Sequence, residues 1–295
     1  ILSILAGERV YKKFIETNEA DFAYTHKNNY RLRGNAFTQK GMPSFTLRLI
    51  PEVKTLKDLQ LPPAIENFAM ARQGFFLVVG PVGQGKSTTL ASMVEIINTK
   101  RAAHILTVED PIEYIYTQKK SLIHQREAGI DTADFPTALN AAFREDVNVI
   151  LIGEMRDKET IATAVTAAET GHLVLATLHT NNAAQTIDRI IDSFPAEQQD
   201  QVRLQLSASL LGIFSQRLIP RISGGRVPAY ELLINTPAIA NLIREKRTHE
   251  IGVVVETSFE SGMVDMNRSL LELVRTGEIT MESALQYSPN PRGLQ

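Results

Sequence analysis

Cysteine is absent from all 295 residues. That excludes a disulfide framework, thiolate catalysis and any zinc or iron–sulfur centre built on cysteine. It also fits the cytoplasm. Long apolar runs are missing too. The longest, such as Phe75-Phe76-Leu77-Val78-Val79 and Val149-Ile150-Leu151-Ile152, fall far short of the ~18 residues that a bilayer-spanning helix needs. No charged-then-apolar signal layout opens the chain. Residue 1 is Ile rather than Met, which leads us to expect a fragment or a trimmed chain. Excess charge of either sign is lacking: 31 basic and 33 acidic side chains leave a formal net charge of −2. No bulk positive field advertises nucleic acid. Internal repeats and low-complexity segments are absent as well.

What remains is ordinary globular material. Hydrophobic residues make up 43% and charged residues 22%, which rules out a collagen-like, wholly disordered or rod-like chain. The length suggests about two domains, with enough chain to bury a core. In the first fifty residues, Arg9 to Ile15 reads as helix. Tyr30–Phe37 and Ser44–Ile50 alternate apolar and polar side chains around Gly41 and Pro43, the pattern of a hairpin or neighbouring strands. Pro51, Pro62 and Pro63 punctuate a linker over 51–62. Beyond it, β-rich runs at Phe75–Val79, Ile105–Val108, Val149–Ile152 and Leu173–Leu178 alternate with helical patterns at 87–99, 134–144 and 157–170. Runs apolar on both faces, alternating with helices, predict a parallel sheet covered on both sides. From 182 onward helices are expected to dominate. Val202, Leu206, Leu210 and Phe214 fall four apart as a buried helical stripe, and Pro228–Ile234 reads as a further strand.

The strand Phe75–Val79 runs into Gly80-Pro81-Val82-Gly83-Gln84-Gly85-Lys86-Ser87, followed by the helical Thr88-Thr89-Leu90-Ala91. This is G-x-x-x-x-G-K-[ST] in its strand–loop–helix setting. Gly80, Gly83, Gln84 and Gly85 let the backbone curl its N–H groups around an anion. The helix that starts beside Ser87 and Thr88 adds its positive end. Lys86 reaches the β and γ phosphates, and Ser87 ligates Mg²⁺. Two strand ends supply carboxylates. Ile105–Val108 is followed by Glu109-Asp110-Pro111-Ile112-Glu113-Tyr114, and Val149–Ile152 by Gly153-Glu154-Met155-Arg156-Asp157. In an open α/β sheet, ligands sit at the carboxyl ends of the strands, so both clusters face the loop. Acids at strand ends also serve as plain helix caps or solvated turns, and Asp157 is expected to cap the helix after it. His179 ends the run Leu173–Leu178, beside the phosphates, although a histidine in such a place is often only structural.

Together these segments resemble the secretion ATPases of the type II secretion and type IV pilus superfamily, over nearly the whole chain. The Walker A stretch Gly80–Ser87 matches. Val108 to Tyr114 is similar to the family's Asp box. Leu151–Asp157, with Ala168-Glu169-Thr170-Gly171-His172, is similar to its atypical Walker B region, here with Glu154 where Asp is usual. Thr177-Leu178-His179-Thr180-Asn181 is similar to its His box. Ala238-Ile239-Ala240-Asn241-Leu242-Ile243-Arg244-Glu245 resembles a motif of the retraction branch at seven of eight positions, with Ala240 in place of an arginine. The assembly and type II secretion branches generally carry a tetracysteine zinc module, which a chain without cysteine cannot form.

The resemblance implies an α/β fold: a small PAS-like α+β domain over 1–50, a linker, and a RecA-like P-loop ATPase domain over 63–295 with a helical C-terminal part. It implies ATP and Mg²⁺ as ligands. Glu113 would be the general base, Glu154 the Walker B acid acting on Mg²⁺ through water, and His179 the γ-phosphate sensor. Arg33 and Arg48 resemble arginines that reach a neighbouring subunit's nucleotide, so each is expected to lie far from its own P-loop. The implied activity is that of a homohexameric Mg-ATPase motor for pilus retraction and twitching motility, working as a cytoplasmic protein peripheral to the inner membrane. Its partners would be an inner-membrane platform protein and a paralogous motor ATPase, without nucleic acid. The alternatives are an assembly or secretion ATPase, a RecA-like nucleic-acid translocase, and a nucleotide-binding regulator without turnover.

Overall fold

A computed structural model describes residues 2–27, 31–50 and 52–294. Tyr30 at the start of an expected strand, Pro51 in the linker and both terminal residues lie outside the described residues. The chain begins with α1 (Leu2–Thr17), β1 (Glu19–Thr25), β2 (Arg31–Gln39) and β3 (Met42–Ile50). These strands form an antiparallel sheet in the order β1-β2-β3. Lys40 and Gly41, both at positive φ, make the two-residue β2–β3 turn, the geometry that matches strand twist in a tight hairpin. α1 packs Phe14 against Ala20, Phe22 and Ala36 in a small core. β1 escaped the sequence reading because its run is short and half polar.

From Lys54 onward the expected linker is anchored rather than free. Its Lys54 carbonyl accepts from Ser92 Oγ at 2.5 Å, Leu61 is buried, and Leu56 and Leu59 pack on the larger core. Then follow α2 (Ala64–Ala69), β4 (Gly74–Val79), α3 (Lys86–Lys100), β5 (His104–Glu109), β6 (Leu122–Glu127), α4 (Phe135–Ala142), β7 (Val149–Ile152), α5 (Lys158–Glu169), β8 (Leu173–Leu178), α6 (Ala183–Asp192), α7 (Ala196–Ser209), β9 (Leu210–Pro220), β10 (Arg226–Ile234), α8 (Pro237–Arg244), α9 (Ile251–Thr257), α10 (Met266–Arg275) and α11 (Met281–Tyr287).

The seven-stranded sheet runs β10-β9-β4-β8-β7-β5-β6. All neighbours pair in parallel except β10, which is antiparallel to β9. One face packs on α4 to α9, with Leu139, Ile161, Ile187 and Ile239 buried. The other packs on α2 and α3 through Ile65, Leu90, Met93 and Ile97. The strands β4 and β8 are buried along their whole length, as strands covered on both faces must be.

One expectation needs correction. Val202, Leu206, Leu210 and Phe214 are all buried, but the helix ends at Ser209 and the last two belong to β9. Spacing by four is equally compatible with period two, and a strand buried on both faces hides which period applies. The C-terminal part is therefore a β9–β10 hairpin plus helices. Asp157 caps α5 as expected, accepting Thr160 N–H at 2.8 Å. Among the described residues, no helix is long and apolar enough to cross a membrane.

Candidate active site at the carboxyl edge of the parallel sheet

Four parallel strands deliver four chemical segments to one edge. β4 leads to the loop 80–87, β5 to Glu109 and Glu113, β7 to Glu154 and β8 to His179. They line a single cavity of about 670 Å³.

The loop is held open by glycine. Gly80 has φ +144°, and a Cβ there would lie 2.4 Å from the Gln216 carbonyl. Gly85 caps α3 in the left-handed region at φ +82°, with no side-chain cap. By contrast, Asp134, Asp157 and Asn182 cap α4, α5 and α6 with their side chains. The first N–H groups of α3 thus face the cavity unclaimed by a capping side chain, which suits an anion. β9 braces the loop from behind. Gln216 Nε2 donates to Gln84 O at 2.8 Å, and Gln216 Oε1 accepts from Thr89 Oγ1 at 2.7 Å. Gln84 Oε1 accepts Leu218 N–H at 2.6 Å.

Lys86 is 7% exposed. Its ammonium donates to Gly80 O (2.8 Å), Pro81 O (2.9 Å) and His179 Nδ1 (3.1 Å). Burial lowers its proton affinity below that of ordinary lysine, while Glu154 and Glu113 pull it back up. An ammonium can only donate, so His179 Nδ1 is the acceptor and the ring proton sits on Nε2. That nitrogen lies 3.0 Å from Glu154 Oε1. The other Glu154 oxygen accepts from Arg156 Nη2 at 2.7 Å. This hydrogen bond, more than any other influence, holds the carboxyl below the usual carboxylate range. Arg156 Nη1 lies 3.8 Å from Asp110. Lys86, His179, Glu154, Arg156 and Asp110 therefore form one continuous polar line. Ser87 and Thr88 follow on the cavity wall, and Thr88 Oγ1 lies 2.9 Å from Tyr114 OH.

Glu113 sits on the loop after β5. Its Oε1 lies 3.5 Å from Arg33 Nη1. Arg33 and Arg48 are directly opposite each other across β2 and β3, and both line the same cavity. The expectation that they lie far from their own P-loop is thus not met. The fold lays the N-terminal sheet over the chain's own phosphate loop, so an arginine that sequence alone would give to a neighbour meets Glu113 of the same chain. A second tie between the two parts joins Arg9 Nη2 to Gly129 O at 2.9 Å.

Glu109 stands inside the Val108–Tyr114 motif with no signal of its own. It is 8% exposed. Oε1 accepts from Thr107 Oγ1 at 2.8 Å, and Oε2 accepts Glu113 N–H at 3.3 Å. Burial pushes its carboxyl up to about 7. Glu127 Oε2 accepts Ile112 N–H at 3.1 Å, and Gln125 bonds Tyr116 N–H and Tyr114 O. The loop carrying Glu113 is thus held by the buried Glu109 and Glu127 and the half-buried Gln125 of β5 and β6. No spacing signal points to Gln125 or Glu127, because β6 itself was not anticipated.

Comparison with known proteins follows the same lines. The model of the type II/IV secretion system protein family matches residues 23–225. The chain belongs to that family. It is 48% identical over 286 residues to a twitching motility protein of Neisseria gonorrhoeae, covering 96% of this chain and 76% of the relative. It is 45% identical over 288 residues to the type IV pilus retraction ATPase PilT of Pseudomonas aeruginosa, covering 97% and 84%. Among solved structures, the pilus retraction motor PilT with bound ADP superposes with a TM-score of 0.93 at 48% identity, covering 99% of this chain and 83% of that one.

Proposed function

We propose that this chain is an ATP-hydrolysing motor subunit that drives type IV pilus retraction. The observation that carries the reading is the convergence of the Walker A loop, Glu113, Glu154 and His179 on one cavity, in a chain that matches retraction ATPases over nearly its whole length.

In this reading the N–H groups of the loop and of the α3 terminus hold the polyphosphate. Lys86 exchanges its bonds to loop carbonyls for β- and γ-phosphate oxygens. Glu113 accepts the proton of the attacking water. Arg33 and Arg48 bring positive charge to the side where the transferring phosphoryl group develops negative charge. His179 bridges Lys86 and Glu154, so it senses the γ-phosphate through any change at either. A second cavity of about 310 Å³ adjoins the loop beside Thr88 and Thr89, with Leu59, Leu61, Leu218 and Pro228 among its walls. Its apolar surfaces suit the base.

A hydroxyl and a carboxylate are oxygen donors of the kind Mg²⁺ takes, so Ser87 and Glu154 fit that ion. Both Glu154 oxygens already have partners, which favours contact through water. When bound, Mg²⁺ would neutralise charge on the β and γ oxygens. A homohexamer, a platform protein at the inner membrane, a paralogous motor partner and a cytoplasmic location peripheral to that membrane complete the proposal.

The test has two parts. Phosphate release by the purified protein should need Mg²⁺ and fall at least ~10²-fold in Lys86→Ala. In cells, deleting its gene should leave pili that extend but do not withdraw. Loss of pili altogether would assign the chain to assembly, and turnover unaffected by Lys86→Ala would overturn the ATPase reading.

A further inference from the structure

The two cavities share four wall residues: Gly85, Thr88, Leu218 and Arg226. Of these only Arg226 is charged. It opens β10, directly after Gly224 and Gly225, both at positive φ. Its Nη1 donates to the carbonyl of Gly83, in the phosphate loop, at 3.4 Å. Its neighbour in the second cavity, Arg221, is occupied otherwise, with Nε 2.6 Å and Nη2 2.5 Å from Glu278. Lys86 belongs to the first cavity alone.

A nucleotide has one chemical joint between its polyphosphate and its nucleoside, the α-phosphate. If the loop holds the terminal phosphates and the smaller cavity takes the base, that joint lies where the cavities meet. We propose that Arg226 binds the α-phosphate of the nucleotide held by the P-loop. The proposal rests on the nucleotide-binding reading above. A guanidinium presents five N–H donors in a planar fork, so it can keep one bond to Gly83 and offer others to phosphate oxygens. A contact at the α-phosphate is made equally with ATP and with ADP. Arg226 then holds substrate and product alike, in contrast to Arg33 and Arg48, whose charge is placed for the γ-phosphate. Arg226 also stands on the β9–β10 hairpin that braces the loop through Gln216, so nucleotide occupancy is felt directly by that hairpin.

Binding of ATP and ADP to the wild-type full chain, Arg226→Ala and Arg226→Lys, measured by calorimetry, tests this. The alanine variant should lose about 10- to 100-fold in affinity for both nucleotides, the worth of a charge-assisted hydrogen bond. Lysine should restore part of it. To separate contact from mere bracing of the loop, the same proteins are titrated with the two diastereomers of ADP carrying sulfur at the α-phosphate. Wild type should disfavour one diastereomer, since sulfur is the weaker acceptor, and Arg226→Ala should lose that preference. Equal affinities in wild type and Arg226→Ala would overturn the proposal. So would a loss confined to ATP, or a diastereomer preference that survives the substitution. A wild-type protein that binds neither ATP nor ADP would instead overturn the nucleotide-binding reading itself.

Discussion

β4 and β3 are both regular strands in twisted sheets, yet they hold their functional residues by different means. β4 is buried at all six positions, and its loop is fixed by its own sheet, by α3 and by β9. β3 is an edge strand with no fully buried residue. Phe45, Leu47 and Leu49 are exposed on one face, and Arg48 lies on the other. Position at β4 is set by packing inside one domain. Position at β2 and β3 depends on how the small sheet rests on the large one, through ties such as Arg33–Glu113 and Arg9–Gly129. The difference suggests a division of labour. The large domain fixes the loop 80–87 by its own packing, and the small domain brings Arg33 and Arg48 to the same cavity through contacts between the two sheets.

The largest test concerns that supply. Arg33→Ala should cut turnover by roughly 10³-fold or more, within the range of known arginine fingers, while nucleotide still binds. Mixing inactive Arg48→Ala subunits with inactive Glu113→Gln subunits should restore nothing, because each site then lacks one group from its own chain. Recovery of activity, with mixed assemblies shown to form, would move the arginines to a neighbour's site and break the comparison. Next comes the group fixed by the large domain. Glu113→Gln should lower turnover by ~10²–10⁴-fold with binding intact, read from phosphate release alongside calorimetry.

Packing separates the regions further. Leu77 is fully buried and Leu49 is 56% exposed. In denaturant titrations Leu77→Ala should cost about 2–5 kcal/mol, and Leu49→Ala no more than ~0.5 kcal/mol. Equal losses would show that the β3 face is covered in solution. A pH-dependent effect sharpens the account of Glu109. Its carboxyl binds protons more tightly when folded, at about 7 against an ordinary 4.5. Below 4.5 both folded and unfolded states hold the proton and nothing is lost. As pH rises toward 7 the unfolded state gives up its proton first, so stability falls, and the loss is complete above about 7. Glu109→Gln should therefore be more stable than wild type at pH 8, by up to about 3 kcal/mol in denaturant titrations, and the gain should vanish near pH 4. A gain independent of pH would mean that the carboxyl is ionised in neither state or equally in both.

Much of the site was legible in the chain because it is local. The loop 80–88 is contiguous, and its glycines, lysine and hydroxyls sit at spacings that only a strand–loop–helix turn requires. Glu113, Glu154 and His179 were legible for a different reason. Each ends or follows an apolar run, and parallel strands bring all such ends to one edge. Two things were not legible. The helix expected through Phe214 became β9 because a fully buried strand lacks the alternation that marks a strand. Gln216, Gln125, Glu127 and Arg226 gave no signal, since single polar residues far along the chain carry no pattern of their own.

By itself, then, the sequence determined the four central parallel strands β4, β5, β7 and β8 with the helices α3, α4 and α5 between them, the phosphate loop and the acids at the strand ends. These follow from hydrophobic periodicity and from backbone conformations that only glycine adopts cheaply. Tertiary structure decided which partners those groups meet: that Lys86 points at His179, that Glu154 is shared by His179 and Arg156, that Glu109 is buried, and that Arg33 reaches Glu113 of its own chain. Contacts such as Lys86–His179 and Arg33–Glu113, eighty or more residues apart, depend on how whole layers settle against one another, and no local pattern of residue types encodes that distance.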